Sequence, residues 1–179
     1  MLTPDLWVEP MVAHLTALKV YLEEQSMGVP PRHVYEILIR TTPERLWRAI
    51  TDPADTQLYY YGTKVRSDWK PGSRMVYYDG DEISLDCKIV EIEPPHRLVH
   101  TFTMVYDPEM AAERPSRVTW VIEKEGEVCR LTLVHDDFDG ETKTYREVEH
   151  GWAEILSSLK TLLETGEPLH IGEEAGMPD

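Results

Sequence analysis

The sequence predicts an α+β fold in which a seven-stranded antiparallel sheet curls around one long C-terminal helix. Three observations predict it. Strand-like runs follow one another closely, with turn residues between them. One such run stands apart from the rest, ahead of a short helix. A single long amphipathic stretch closes the pattern.

The first strand is read over residues 33–40 (HVYEILIR). Thr42 then supplies an N-cap and Pro43 a first-turn proline, so a short helix starts here. Leu46, Trp47 and Ile50 form its apolar face, and Asp52-Pro53 is read as its end. Leu58 to Tyr61 is expected at a helix-to-strand corner before Gly62. Strands are then expected over 63–69, 74–78, 83–92, 97–106, 117–124 and 128–135. Lys70-Pro71-Gly72, Asp79-Gly80-Asp81, Pro94-Pro95, a loop with Pro108 and Pro115, and Glu125-Gly126-Glu127 divide them. Strands joined by short turns are antiparallel, because a parallel link needs a crossover of about a dozen residues or more. The closing helix spans 143–164. Tyr145, Val148, Trp152, Ile155, Leu156, Leu159, Leu162 and Leu163 follow the helical period, and Gly166 and Pro168 end it.

Residues 1–31 read as a separate helical extension. Met11, Leu15, Leu18 and Leu22 lie on one helix face, which makes a homodimer through this helix an expectation. Residues 32–166 form the main domain, and 167–179 read as a flexible acidic tail. A chain of 179 residues suits this plan without staples. The net charge of −15 opposes nucleic-acid and anionic membrane partners. Cys87 and Cys129 each sit inside a strand run and are expected as buried, reduced thiols. No basic leader precedes an apolar stretch, and no apolar run approaches the roughly 18 residues of a membrane span. The expected location is the cytoplasm.

Side chains alternate across a strand, so each strand has two faces. Leu98, His100, Phe102 and Met104 share one. Val118, Trp120 and Ile122 share a second, and Leu131, Leu133 and His135 a third. These sets are bulkier than their alternates and are assigned inward, toward the long helix. One helix is too narrow to fill the wide end of a curled sheet, so a cavity is expected there. Its expected wall comprises Trp47, Tyr61, Tyr77, Phe102, Met104, Trp120, Leu133, His135, Trp152 and Leu156. Rings bring apolar area, Tyr and Trp keep one polar handle each, and Met adapts to irregular shapes. Ordinary core packing is the competing reading for each of these residues.

His100 and His135 are the candidate catalytic or hydrogen-bonding groups. Either would serve as a proton shuttle inside an apolar pocket. The competing reading is a core imidazole satisfied by backbone or by a neighbour such as Tyr145. No metal site or cofactor is expected: the histidines are scattered, and no CxxC, HExxH, calcium loop, GxGxxG or Walker string occurs.

Several strings resemble one superfamily when taken in order. They are Thr42-Pro43-Glu44-Arg45-Leu46-Trp47-Arg48-Ala49-Ile50, Pro94-Pro95-His96-Arg97-Leu98-Val99, Arg117-Val118-Thr119-Trp120 and Leu131-Thr132-Leu133-Val134-His135. The closing helix from Gly151-Trp152 to Leu163-Glu164 completes the set. Over about residues 32–166 the chain resembles the SRPBCC proteins (START and Bet v 1-like). Within them it resembles the branch of activators of the Hsp90 ATPase (AHSA1). The resemblance implies a helix-grip fold and, often, a hydrophobic cavity. It carries no shared catalytic set, and its members include lipid carriers, polyketide cyclases, co-chaperones and proteins that intercept toxic metabolites. Three functions follow as expectations. The first is non-enzymatic binding or sequestration of a hydrophobic or aromatic small molecule. The second is an interaction domain acting with an Hsp90-type chaperone. The third is a cyclase-like enzyme or metabolite-resistance protein using His100, His135 or a cavity tyrosine.

Overall fold

The structure, a computed structural model, describes residues 30–169. The amphipathic helix expected around residues 11–22, the dimer contact attributed to it and residues 170–179 of the expected tail lie outside the described residues.

The elements run β1 (His33–Ile39), α1 (Pro43–Thr51), α2 (Pro53–Tyr59), β2 (Lys64–Ser67), β3 (Arg74–Asp79), β4 (Glu82–Glu93), β5 (Arg97–Phe102), α3 (Pro108–Ala111), β6 (Ser116–Glu125), β7 (Val128–Asp136) and α4 (Lys143–Thr165). The strands form one antiparallel sheet in the order β1-β7-β6-β5-β4-β3-β2. From β2 to β7 the chain is a meander, and β1 joins its far side beside β7. This is the expected α+β, helix-grip-like arrangement.

Two helices were not anticipated. Asp52-Pro53 ends α1 and also starts α2: the Asp52 backbone N–H donates to Arg48 O at 2.8 Å, while its carboxylate accepts from Ala54 N at 2.8 Å. One residue caps both helices, so the chain turns without a loop. Asp107 caps the short α3 in the same manner, accepting from Glu109 N and Met110 N. The fifth expected strand, read over 97–106, therefore stops at Phe102, and only Met104 continues the sheet, through an isolated bridge to Leu85.

Register places the inward residues in rows. His100, Val118, His135 and His33 lie across β5, β6, β7 and β1, and Leu98, Trp120, Leu133 and Tyr35 form the next row. Alternation in β7 is complete: Cys129, Leu131, Leu133 and His135 are buried, and the residues between them are partly exposed. Helix α4 buries Val148, Trp152, Ile155, Leu156, Leu159 and Leu162 against this face. Thr142 caps its start by accepting from Tyr145 N. Gly166 ends it at φ 89°, a left-handed conformation that glycine adopts at little cost. Register shifts at Tyr77/Tyr78 and at Ile89/Glu91 mark irregularities in the ladders on both sides of β4. Extra residues of this kind bend a strand and increase its twist.

Candidate functional site

Most of the space between α4 and the sheet is filled by side chains, but one end is not. There a cavity of about 650 Å³ opens. One wall is the first half of α4, with Val148, Trp152 and Ile155. Another is the corner after α2, with Tyr60, Tyr61 and Thr63. The β3–β4 hairpin gives Ile83, Ser84 and Leu85, and the chain leaving β5 gives Phe102, Met104 and Tyr106. Trp152, Phe102, Tyr60 and Leu85 are buried and form the floor, whereas Tyr61 and Tyr106 are more than half exposed and stand at the opening. Asp79, Glu82, Glu147, His150 and Glu154 add polar groups to the lining.

Of the residues nominated from sequence, Tyr61, Phe102, Met104 and Trp152 line this cavity. Trp47, Tyr77, Trp120, Leu133, His135 and Leu156 do not. Tyr77 stacks behind Tyr60 with ring centroids 4.6 Å apart, and Trp120 meets the edge of Trp152 at 5.5 Å. Leu133 and Leu156 are in the packed core, and Trp47 is partly buried at its margin. These rings thus form a second layer that fixes the lining from behind.

His100 and His135 also sit in that second layer, with every ring nitrogen engaged. His100 Nε2 accepts from Trp120 Nε1 at 3.1 Å, so Nδ1 carries the proton and donates to Thr101 O at 2.8 Å. His135 Nδ1 accepts from Trp152 Nε1 at 2.9 Å, so Nε2 donates to Ser116 Oγ at 2.7 Å. Burial pushes the His100 imidazole down to about 4, against a smaller opposing effect of its bond to Thr101. Burial, reinforced by His100 and His33, holds His135 well below the ordinary imidazole range. Both are therefore neutral fasteners between a strand and a tryptophan. Tyr145, considered as a neighbour that would satisfy these two, instead meets His33, whose Nε2 lies 2.8 Å from the Tyr145 carbonyl.

Tyr61 holds the corner of the opening. Its φ of 49° lies in the left-handed region, which is strained for a residue with a side chain. The hydroxyl donates to Glu154 Oε2 at 2.6 Å and so ties the corner to α4. Burial, together with the hydrogen bond and charge of Glu154, raises the phenol well above its usual range. Burial likewise raises Tyr60, and burial with Glu147 raises Tyr106. All three phenols are neutral donors at physiological pH. Cys87 is a buried residue of β4, and burial pushes its thiol up to about 12, so it stays protonated at physiological pH.

Among the described residues no group of three or more His, Cys, Asp or Glu side chains is placed to hold a metal ion. No helix among them is long and apolar enough to cross a membrane.

The sequence pattern of the family described as activator of Hsp90 ATPase homolog 1-like protein matches residues 40–164. The chain belongs to that family. No curated protein sequence matches it. Among solved structures it is similar to protein MLL2253 from Mesorhizobium loti, with 26% identity over 74% of this chain and 96% of that one, at a TM-score of 0.62. It is also similar to DynU16, a putative protein in the dynemicin biosynthetic locus. That match has 19% identity over 78% of this chain and a TM-score of 0.65. It spans 49% of DynU16, about half of that longer chain. An HSP90 activator from Plasmodium falciparum, PFC0360w, matches with 20% identity over 74% of this chain and 95% of that one, at a TM-score of 0.62. The last two likenesses are of fold.

Proposed function

We propose that the chain binds a hydrophobic or aromatic small molecule in the cavity beside α4, without chemical turnover. The observation that carries this reading is the cavity itself: about 650 Å³, with Trp152, Phe102, Tyr60 and Leu85 as its floor. Small-molecule sites are mostly concave, apolar and preformed, with volumes of roughly 300–1,000 Å³. The absence of turnover is supported by the two histidines. Both stand behind the lining, and both spend their nitrogens on structural bonds. A general base needs a free lone pair within about 3 Å of a substrate proton. We assign the binding role to Tyr61, Phe102, Met104 and Trp152 from the sequence set, joined by Tyr60, Val148 and Ile155.

The test is to fill the space. Met104→Trp with Ile83→Trp places two larger rings in the lining. Fatty acids, sterols and aromatic polyketides are titrated while tryptophan fluorescence and amide NMR shifts are followed. The native chain is expected to show saturable shifts at the lining for one of these classes. The filled variant, with unchanged circular dichroism, should lose them. Equal binding by both proteins places the ligand elsewhere and refutes the assignment.

A second reading has the family match behind it: an outer surface that engages an Hsp90-type chaperone and raises its ATPase rate. Its test is that rate, measured with and without the chain at low salt. An unchanged rate removes it.

A further inference from the structure

We infer that the cavity selects a ligand in which an apolar, ring-bearing body carries a positively charged nitrogen. The inference rests on the cavity being a binding site and concerns what it admits.

The lining includes four carboxylates, Asp79 and Glu82 from the hairpin and Glu147 and Glu154 from α4, but no lysine or arginine. Elsewhere several of the described arginines are drawn to other acids, away from this lining. Arg45, Arg74, Arg97, Arg117 and Arg130 are each committed to a carboxylate. Among the described residues none of the four lining acids has a cationic partner. Glu154 is met only by the neutral Tyr61 hydroxyl. A negative potential therefore stands at an apolar hollow, where low-dielectric walls focus it. The exposed face of Tyr106, in the same lining, favours a cation as well.

An independent observation lies deeper. Tyr60 is 4% exposed and lines the cavity, yet among the described residues its hydroxyl has no hydrogen-bond partner. A buried donor left unmade is costly, so the site presents it to an acceptor on the ligand body. The ligand thus combines a cationic nitrogen for the carboxylates, rings for the floor and an acceptor for Tyr60.

Three dansyl probes with one body and one linker test this: dansylcadaverine, which ends in an ammonium, and its terminal-alcohol and terminal-carboxylate counterparts. All carry rings and sulfonyl acceptors. Binding is read from the blue shift of dansyl emission and energy transfer from tryptophan. The ammonium probe is expected to bind about tenfold tighter than the alcohol, with the carboxylate weakest. Added salt should narrow the gap, as should the Glu82→Gln/Glu147→Gln variant, which changes two exposed positions. Tyr60→Phe should weaken all three probes alike. Equal affinities, or a preference for the carboxylate, overturn the charge inference and leave the cavity reading standing. No blue shift with any probe overturns both.

Discussion

Acidification tests the two histidine fasteners, and His100 allows the magnitude to be worked out. In the unfolded chain its imidazole titrates at 6.5; in the fold burial holds it at about 4. The folded value is the lower one, so the unfolded chain binds the proton first. Stability is intact above 6.5 and is lost as pH falls from 6.5 toward about 4. The full shift corresponds to about 3 kcal/mol at roughly 1.4 kcal/mol per pH unit. Between about pH 7.5 and about pH 5, His100 alone should remove about 2 kcal/mol. His135 acts in the same direction, since protonating it displaces the Trp152 N–H. The assay is urea unfolding by circular dichroism at both pH values, comparing the native chain with His100→Gln. Glutamine can accept from Trp120 and donate to Thr101, but it does not titrate in this range. The variant should lose about 2 kcal/mol less than the native chain over the same interval. If both lose the same amount, His100 is not held neutral by burial and the reasoning fails.

Three further outcomes follow from the same geometry. Trp152→Phe leaves the fully buried His135 Nδ1 without its donor and opens a gap. It should cost about 2–4 kcal/mol in urea unfolding. Arg45 grips Asp55 through two bonds of 2.9 and 3.0 Å, and Asp55 is 9% exposed. Arg45→Met should cost about 2–3 kcal/mol, moderated by Arg48 at 3.7 Å, and a double-mutant cycle with Asp55→Asn should recover part of that. Asp52→Ala removes the side-chain cap of α2 and should lower stability by about 1 kcal/mol, read as a shifted thermal midpoint. No change would mean the Asp52 carboxylate contributes nothing at this junction.

The two unanticipated helices show where local reading stops. At Asp52-Pro53 the signals for ending one helix and starting another are the same residues, and only the direction of the chain afterward separates them. The cavity shows a different limit. Ring-bearing inward residues were legible from alternation and helical period. Those patterns rank Tyr77, Trp120 and Trp152 alike, although only Trp152 reaches the hollow. Val148 and Ile155 lie on the helical stripe with Trp152, a signal that could have placed them in the wall. Nothing local marks Tyr60, Glu82 or Glu147, which come from separate elements.

By itself the sequence determined the seven strands, their antiparallel sense, the closing helix and the inward faces of β5, β6, β7 and α4. Backbone geometry fixes the strand and helix periods, and short turns leave no room for crossovers. The tertiary structure alone decided where the interior stays open and which carboxylates border it. It also decided that His100 and His135 spend their nitrogens on Trp120, Trp152, Thr101 and Ser116. Those outcomes depend on how far the irregular ladders at Tyr77/Tyr78 and Ile89/Glu91 carry the sheet around α4. That is a sum over contacts between residues far apart in the chain, and no local period encodes it.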